Sequence, residues 1–132
     1  RLLVIDERRD GAEGEGEFLP DVERYLRAMN DEPTWVLPAH DWGRVNIEGR
    51  KLSVDLFSSE RAWGIALAVR LLEGKLDPAL RDRSLALVRE RVVEPYLRCR
   101  RSPNDTGLGP MWWTFCDSIP CLWNYCLELF LA

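Results

Sequence analysis

The chain has 132 residues, of which 46% are hydrophobic and 30% are charged, so it can form one domain with its own core and is not composed like a disordered protein. Its net charge of −4, from 22 acidic and 18 basic residues, argues against a nucleic-acid partner, because such proteins normally present a basic face. The apolar stretches are short and interrupted by charges, so no membrane span is predicted.

The first two predicted segments are a loop and a helix. Residues 1–17 are rich in glycine and glutamate and are predicted to form a flexible N-terminal segment. Residues 18–30 carry apolar side chains at steps of three and four, which predicts an amphipathic helix. Pro20 and Asp21 suit its first turn, and Pro33 follows its end.

Residues 34–55 show no periodicity and are predicted to form a long loop, which in a compact domain is more often functional than not. The loop contains His40, the single histidine of the chain. One histidine cannot form a metal site alone, and the four cysteines include no C-x-x-C pair, so no metal or other cofactor is predicted. His40 either contacts a sugar or forms a hydrogen bond with Asp41 that organises the loop, and we expect the second.

The next predicted helix begins at a capping residue, either Asp55 or Ser58, and ends before Gly74. Within residues 60–73 the charged side chains stand only near the ends, and the remainder is apolar on almost every side. Such a helix must be covered on nearly all sides. We therefore expect it to be the most buried helix, with Trp63 as a candidate core residue.

A third helix is predicted from Asp77 and Pro78, an N-cap followed by proline at the first helical position, to about Glu94. Pro95 is expected to bend or end it. A final apolar helix is predicted near residues 119–132. Since no pair of strands is apparent, the fold class is all-α, with the helices arranged as hairpins.

The arginines near the third helix fall into two groups. Four alternate with acidic residues and are predicted to form a solvated helix face. Three others lack a nearby acid and could meet an acidic glycan. The first group is Arg81, Arg83, Arg89 and Arg91, and the second is Arg98, Arg100 and Arg101.

Two stretches of the sequence carry a resemblance to a known family. The first is E-P-T-W-V-L-P-A-H-D at residues 32–41, followed by V-D-L at residues 54–56. The second, looser one is W-W-T at residues 112–114, leading to L-W-N-Y-C at residues 122–126. Together they resemble the helical N-terminal half of heparinase II/III-like polysaccharide lyases.

The resemblance implies a fold and an activity. Residues 18–132 would be part of an incomplete (α/α) toroid of helical hairpins, truncated at its C-terminus, and later toroid helices and a β-sandwich domain would follow in the same chain. The partner would be an acidic polysaccharide, cleaved by β-elimination at a uronic acid. This fragment alone would be inactive. By the same resemblance the protein would be secreted or periplasmic.

The family's site residues transfer only in part. In relatives an Asn or His neutralises the uronate carboxylate, and Asn124 is the matching candidate catalytic residue. Asn124 could equally be a structural amide that bridges buried backbone. The family's two consecutive asparagines are absent, since Trp123 stands in the first position. If the first of those asparagines is the one that takes part in the reaction, this protein would bind the polysaccharide without cleaving it. The candidate substrate-binding residues are His40, Trp112, Trp113, Trp123 and Tyr125.

Two other classes of function stay open. The chain could belong to a non-catalytic carbohydrate-binding or degenerate family member, in which the cleft survives without the chemistry. It could also be a helical protein-interaction module. Residues 122–131 form an apolar stretch, so we also expect the fragment to leave an apolar surface uncovered.

Overall fold

The computed structural model describes residues 18–101, with side chains described as far as residue 98. The regular elements of this part are all helical. The α-helices are α1 (Leu19–Asp31), α2 (Leu56–Leu71), α3 (Pro78–Val88) and α4 (Glu94–Arg101). Two 3₁₀ turns, Pro38–His40 and Trp42–Arg44, lie between α1 and α2, and a π-helical turn, Arg89–Val93, joins α3 to α4. The all-α class is thus confirmed for the described residues.

The helices begin where local sequence signals predict. Helix α1 has a proline in its first turn together with Asp21. Helix α2 is capped by Asp55, whose side chain accepts a 2.8 Å hydrogen bond from the Ser58 amide, while the Ser58 hydroxyl accepts one from the Asp55 amide. This reciprocal capping box satisfies two backbone donors at the helix start. Asp77 caps α3 by accepting a hydrogen bond from the Ala79 amide.

Of the two outcomes predicted for Pro95, a bend or an end of the helix, the end is wrong, because α4 continues through the proline to Arg101. In a regular α-helix the proline ring would clash with the carbonyl of Arg91, four residues earlier, and proline has no N–H to donate. A π-helical turn lies directly before the proline, and there the Glu94 amide bonds to the Arg89 carbonyl, five residues back. The wider turn accommodates the proline without ending the helix.

The core forms where α3 packs against both α1 and α2. A buried polar pair also joins α1 to α3, since the Asn30 side-chain amide donates a 2.9 Å hydrogen bond to the Ser84 hydroxyl. The large side chains at the centre of the core come from all three helices and from the segments that follow α2 and α3. They are Leu26, Ile65, Leu72, Val88 and Val92.

Helix α2 is the most buried of the described helices, as predicted, but one face of it is not fully covered. Trp63, Leu67 and Leu71 recur at four-residue steps, and each is only half-buried. The expectation that apolar residues are covered on nearly every side is therefore wrong for this stripe, and Trp63 is not a core residue. The buried positions are Ser58, Ser59, Ala62, Ile65, Ala66, Ala68 and Val69.

Gly64 in the middle of α2 gives a prediction about stability. A Cβ atom added there would meet no atom within 4 Å, so an alanine fits without a clash. Alanine also loses less backbone entropy than glycine in a helix, so Gly64→Ala should raise the free energy of unfolding by about 0.5–1 kcal/mol. Urea unfolding followed by circular dichroism measures this. A loss of stability would contradict the open space beside Gly64.

Candidate functional site

The loop between α1 and α2 is organised by the buried carboxylate of Asp41. One carboxylate oxygen accepts hydrogen bonds from the backbone and side-chain amides of Asn46, at 2.8 and 2.9 Å. The other accepts one from the Ile47 amide at 3.0 Å. Asn46 in turn accepts a 2.7 Å hydrogen bond from the Ser53 amide through its side-chain oxygen. The loop is therefore a defined structure around two buried polar residues.

The same hydrogen bonds shift the ionisation of Asp41. Burial alone would raise its pKa, but the bonds from the Asn46 and Ile47 amides outweigh burial and hold the pKa below its ordinary value. The ionised form is thus favoured more in the folded chain than in the unfolded one.

This shift predicts how stability depends on pH. A carboxyl group with a lowered folded pKa contributes its full stabilisation above its unfolded pKa of about 3.9, and loses it as the pH falls through the lower folded value. The difference in unfolding free energy between wild type and Asp41→Asn should therefore narrow between about pH 6 and pH 3. Asp82→Asn, at an exposed position on α3, controls for the loss of one charge. A constant difference across this range would contradict the shift.

His40 lies against a different carboxylate from the one predicted. Its Nδ1 is 2.8 Å from an oxygen of Asp55, the N-cap of α2. The carboxylate of Asp41 is occupied by the loop amides instead, so the predicted bond between His40 and Asp41 is wrong. The Asp55 side chain is fully buried, whereas 40% of the His40 side chain is exposed. An imidazole facing the surface is thus joined to a buried acid.

Trp42 is the most exposed large apolar side chain of the described residues, at 82%. Its indole nitrogen donates a 2.9 Å hydrogen bond to the Ala39 carbonyl, which ties the ring to the loop. The backbone turns through Gly43 and Arg44, both with positive φ, of 74° and 56°. Since Arg44 adopts a conformation that is uncommon for a residue with a side chain, the loop holds a strained turn beside Trp42.

The loop around Trp42 is basic in a chain whose net charge is −4. Residues 42–52 contain three basic side chains and a single acidic one, Glu48. Arg50 bonds to Glu48 and to the Gly43 carbonyl, and the contact from Arg44 to Glu48 is 3.9 Å long. Glu48 thus serves two arginines, and the ionised Asp41 just before this stretch also acts on Arg44. Across residues 34–55 three acidic side chains balance three basic ones, but two of the acids, Asp41 and Asp55, are buried, so the basic excess is confined to residues 42–52. The three basic residues are Arg44, Arg50 and Lys51.

The start of the loop is held by the π-helical turn. The guanidinium carbon of Arg91 lies 5.0 Å from the ring centre of Trp35, and Arg91 donates a 2.8 Å hydrogen bond to the Glu32 carbonyl. Burial lowers the pKa of Arg91 below the ordinary value of arginine. Arg91 is therefore an exception to the predicted solvated face, to which the exposed Arg83 and Arg89 and the half-buried Arg81 belong.

The structure places only one of the predicted site residues. His40 lies in the loop as described, whereas Asn124, Trp112, Trp113, Trp123 and Tyr125 lie outside the described residues. Whether Asn124 and His40 line one cleft stays a prediction. Sequence reasoning assigned Asp55 only to helix capping and did not single out Trp42. A tryptophan between Asp41 and Gly43 in a segment without periodicity is the signal that could have identified it.

Apart from the loop, an apolar groove with a volume of about 430 Å³ lies between α1 and α2. Its lining includes Tyr25, Met29 and Phe57, but neither His40 nor Asp55.

Among residues 18–98, no three His, Cys, Asp or Glu side chains come together in a way that could hold a metal ion. No helix in the described part of the chain is long and apolar enough to cross a membrane.

No protein-family model matches the chain, and neither the curated proteins nor the solved structures include a significant match.

Proposed function

We propose that this chain is part of a polysaccharide lyase-like protein that binds an acidic, uronic-acid-containing polysaccharide and, in its full-length form, cleaves it by β-elimination. The observation that carries the proposal is the surface of the loop at residues 34–55. There the exposed ring of Trp42 is hydrogen-bonded to the carbonyl of Ala39, the residue before His40, and residues 42–52 around it carry more basic than acidic side chains. An aromatic face accommodates the C–H face of a sugar ring, and basic side chains attract its carboxylates.

The sequence of the same loop supports the proposal as well. The E-P-T-W-V-L-P-A-H-D string at residues 32–41 resembles the lyase family, and it leads directly into Trp42. The all-α class of the described residues agrees with a helical toroid. The toroid arrangement, the polysaccharide and the β-elimination are the proposal.

The activity has a direct test. β-Elimination leaves an unsaturated uronate, which absorbs in the ultraviolet, so the full-length protein is mixed with several glycuronans and the absorbance is followed. Rising absorbance with one of them supports a lyase. Binding without any rise in absorbance would favour the non-catalytic carbohydrate-binding alternative. Absence of both would overturn the proposal.

The contribution of Trp42 can be measured by binding. Trp42→Ala should weaken the binding of a glycuronan by about tenfold, equivalent to about 1.4 kcal/mol, because the exposed ring supplies a contact that alanine cannot. Stability should change little, since the ring is mostly exposed. Tyr25→Ala is the matched control, because Tyr25 is also an exposed aromatic residue but lies on α1. An equal effect of both substitutions on Kd would show that the loop is not the binding surface.

A further inference from the structure

We propose that the apolar groove between α1 and α2 is the docking site of residues 119–131 of the same chain. These residues would lie in the groove as a helix, with Cys126 at the centre of the face that meets α1 and α2. Asn124 and Glu128 would face away from the groove. Such packing within the chain does not depend on the proposed function.

The groove presents apolar surface that another segment can cover. Among the residues that line it, Met29 and Phe57 are half-buried, and Tyr25 is 55% exposed. A Cβ atom added at Gly64 would meet no atom within 4 Å, so a further segment can approach the backbone of α2 closely at that point. Gly64 and Leu67 are neighbours on the helix surface, so the groove continues into the half-buried stripe of α2. A continuous apolar surface of this kind favours an apolar occupant.

The charged residues of the lining do not require a charged occupant. They are Glu60, which is exposed to solvent, and Arg61. The guanidinium carbon of Arg61 lies 4.9 Å from the ring centre of Phe57, and the group is paired with the carboxylate of Glu32. The Arg61 side chain is only 18% exposed. The occupant therefore needs apolar surface and little charge.

Residues 119–131 have the composition that this groove requires. Glu128 is their only charged residue, whereas nine of residues 1–17 are charged. Asn124 and Glu128 are four residues apart, which places both on one face of a helix. The opposite face carries apolar side chains at steps of four and three residues, the pattern by which a helix docks into an apolar groove. These side chains are Leu122, Cys126 and Leu129.

The dimensions of the groove and of the segment also agree. Phe57 and Ala68 line the groove and are eleven residues apart on α2, so the groove is about 16 Å long. A helix over residues 119–131 would be about 20 Å long. Residues 102–118 connect this segment to the end of α4, and seventeen residues can span about 56 Å. The segment is therefore long enough to fill the groove, and its connection is long enough to reach it.

Cross-linking in the full chain tests this placement. Gly64→Cys introduces a thiol into the groove at a position where a Cβ atom fits, and a short thiol-to-thiol reagent is then added. We expect a link within one chain to Cys126 in preference to Cys121, because a helix places Cys121 on the same side as Asn124. Ala86→Cys is the matched control, since it adds a thiol at an exposed position of α3 outside the groove lining. It should give no link to Cys126.

Mass spectrometry of the digested product identifies the linked cysteines, and denaturing electrophoresis separates links within one chain from links between chains. A link between two chains would show that the groove receives a second copy, which overturns the proposal. A link mainly to Cys121, an equal link in Ala86→Cys, or no link to the thiol at position 64 overturns it as well.

A second measurement decides if circular dichroism shows that Gly64→Cys does not fold. In the reduced wild type, Cys126 should react with a maleimide about tenfold more slowly than Cys121, because the helix must leave the groove before Cys126 becomes accessible. Met29→Lys brings a charge into the groove and should remove most of this difference, whereas Ala86→Lys should leave it unchanged. Equal rates in the wild type, or a difference that persists in Met29→Lys, would show that residues 119–131 do not occupy the groove.

Discussion

Ile65→Ala should lower the free energy of unfolding by about 3 kcal/mol, within the range for truncating a buried isoleucine. Ile65 is completely buried, and it lies in the one hydrophobic cluster that α1, α2 and α3 share. Removing three carbon atoms there loses their burial and leaves a cavity that the packed helices can only partly fill. Chemical unfolding of the wild type and of Ile65→Ala measures the loss. The two free energies are compared with the same slope of unfolding free energy against denaturant concentration.

Trp63→Ala is the matched control on the same helix. Trp63 lies on the half-buried stripe of α2, so its removal should cost about 1–2 kcal/mol although the residue is larger. If Trp63→Ala destabilises more than Ile65→Ala, the tryptophan is covered as a core residue would be. That result would favour a further segment packed on this face.

Asn124→Ala in the full-length protein should lower kcat by about 10²–10³, the usual loss when one hydrogen-bond donor to developing charge is removed. This expectation rests on the proposed lyase mechanism. The Asn124 amide would donate to the uronate carboxylate while negative charge spreads onto it, and an amide does this without adding a charge of its own. Steady-state rates of ultraviolet absorbance with a glycuronan measure the effect.

His40→Ala serves as the comparison for Asn124→Ala. It should mainly raise KM, because His40 is proposed to contact the sugar and not the reacting atoms. The unfolding free energy of Asn124→Ala should stay near that of the wild type. A large loss of stability without a specific loss of kcat would show that Asn124 is a structural amide in the core, and the family's chemistry would then not transfer to it.

The starts of α2 and α3 and the end of α2 could be predicted because their causes are local. Asp55 and Asp77 cap α2 and α3 through amides no more than three residues away. Gly74 lies just past α2 with a φ of 82°, a conformation that favours glycine. Each of these signals depends on neighbours in the sequence, so no knowledge of packing is needed to interpret it.

The site depended on contacts that no local pattern specifies. His40 has two carboxylates within reach of its loop, and packing joins it to Asp55, fifteen residues away, while Asp41 is taken up by the loop amides. Arg91 looks like a member of a solvated face, yet it stacks on Trp35 across the loop. Sequence alone determined where α1, α2 and α3 begin, because caps and first-turn residues act within a few residues. Only the tertiary structure decided which acid holds the histidine and which tryptophan stays exposed, because those choices depend on how the loop packs against the start of α2.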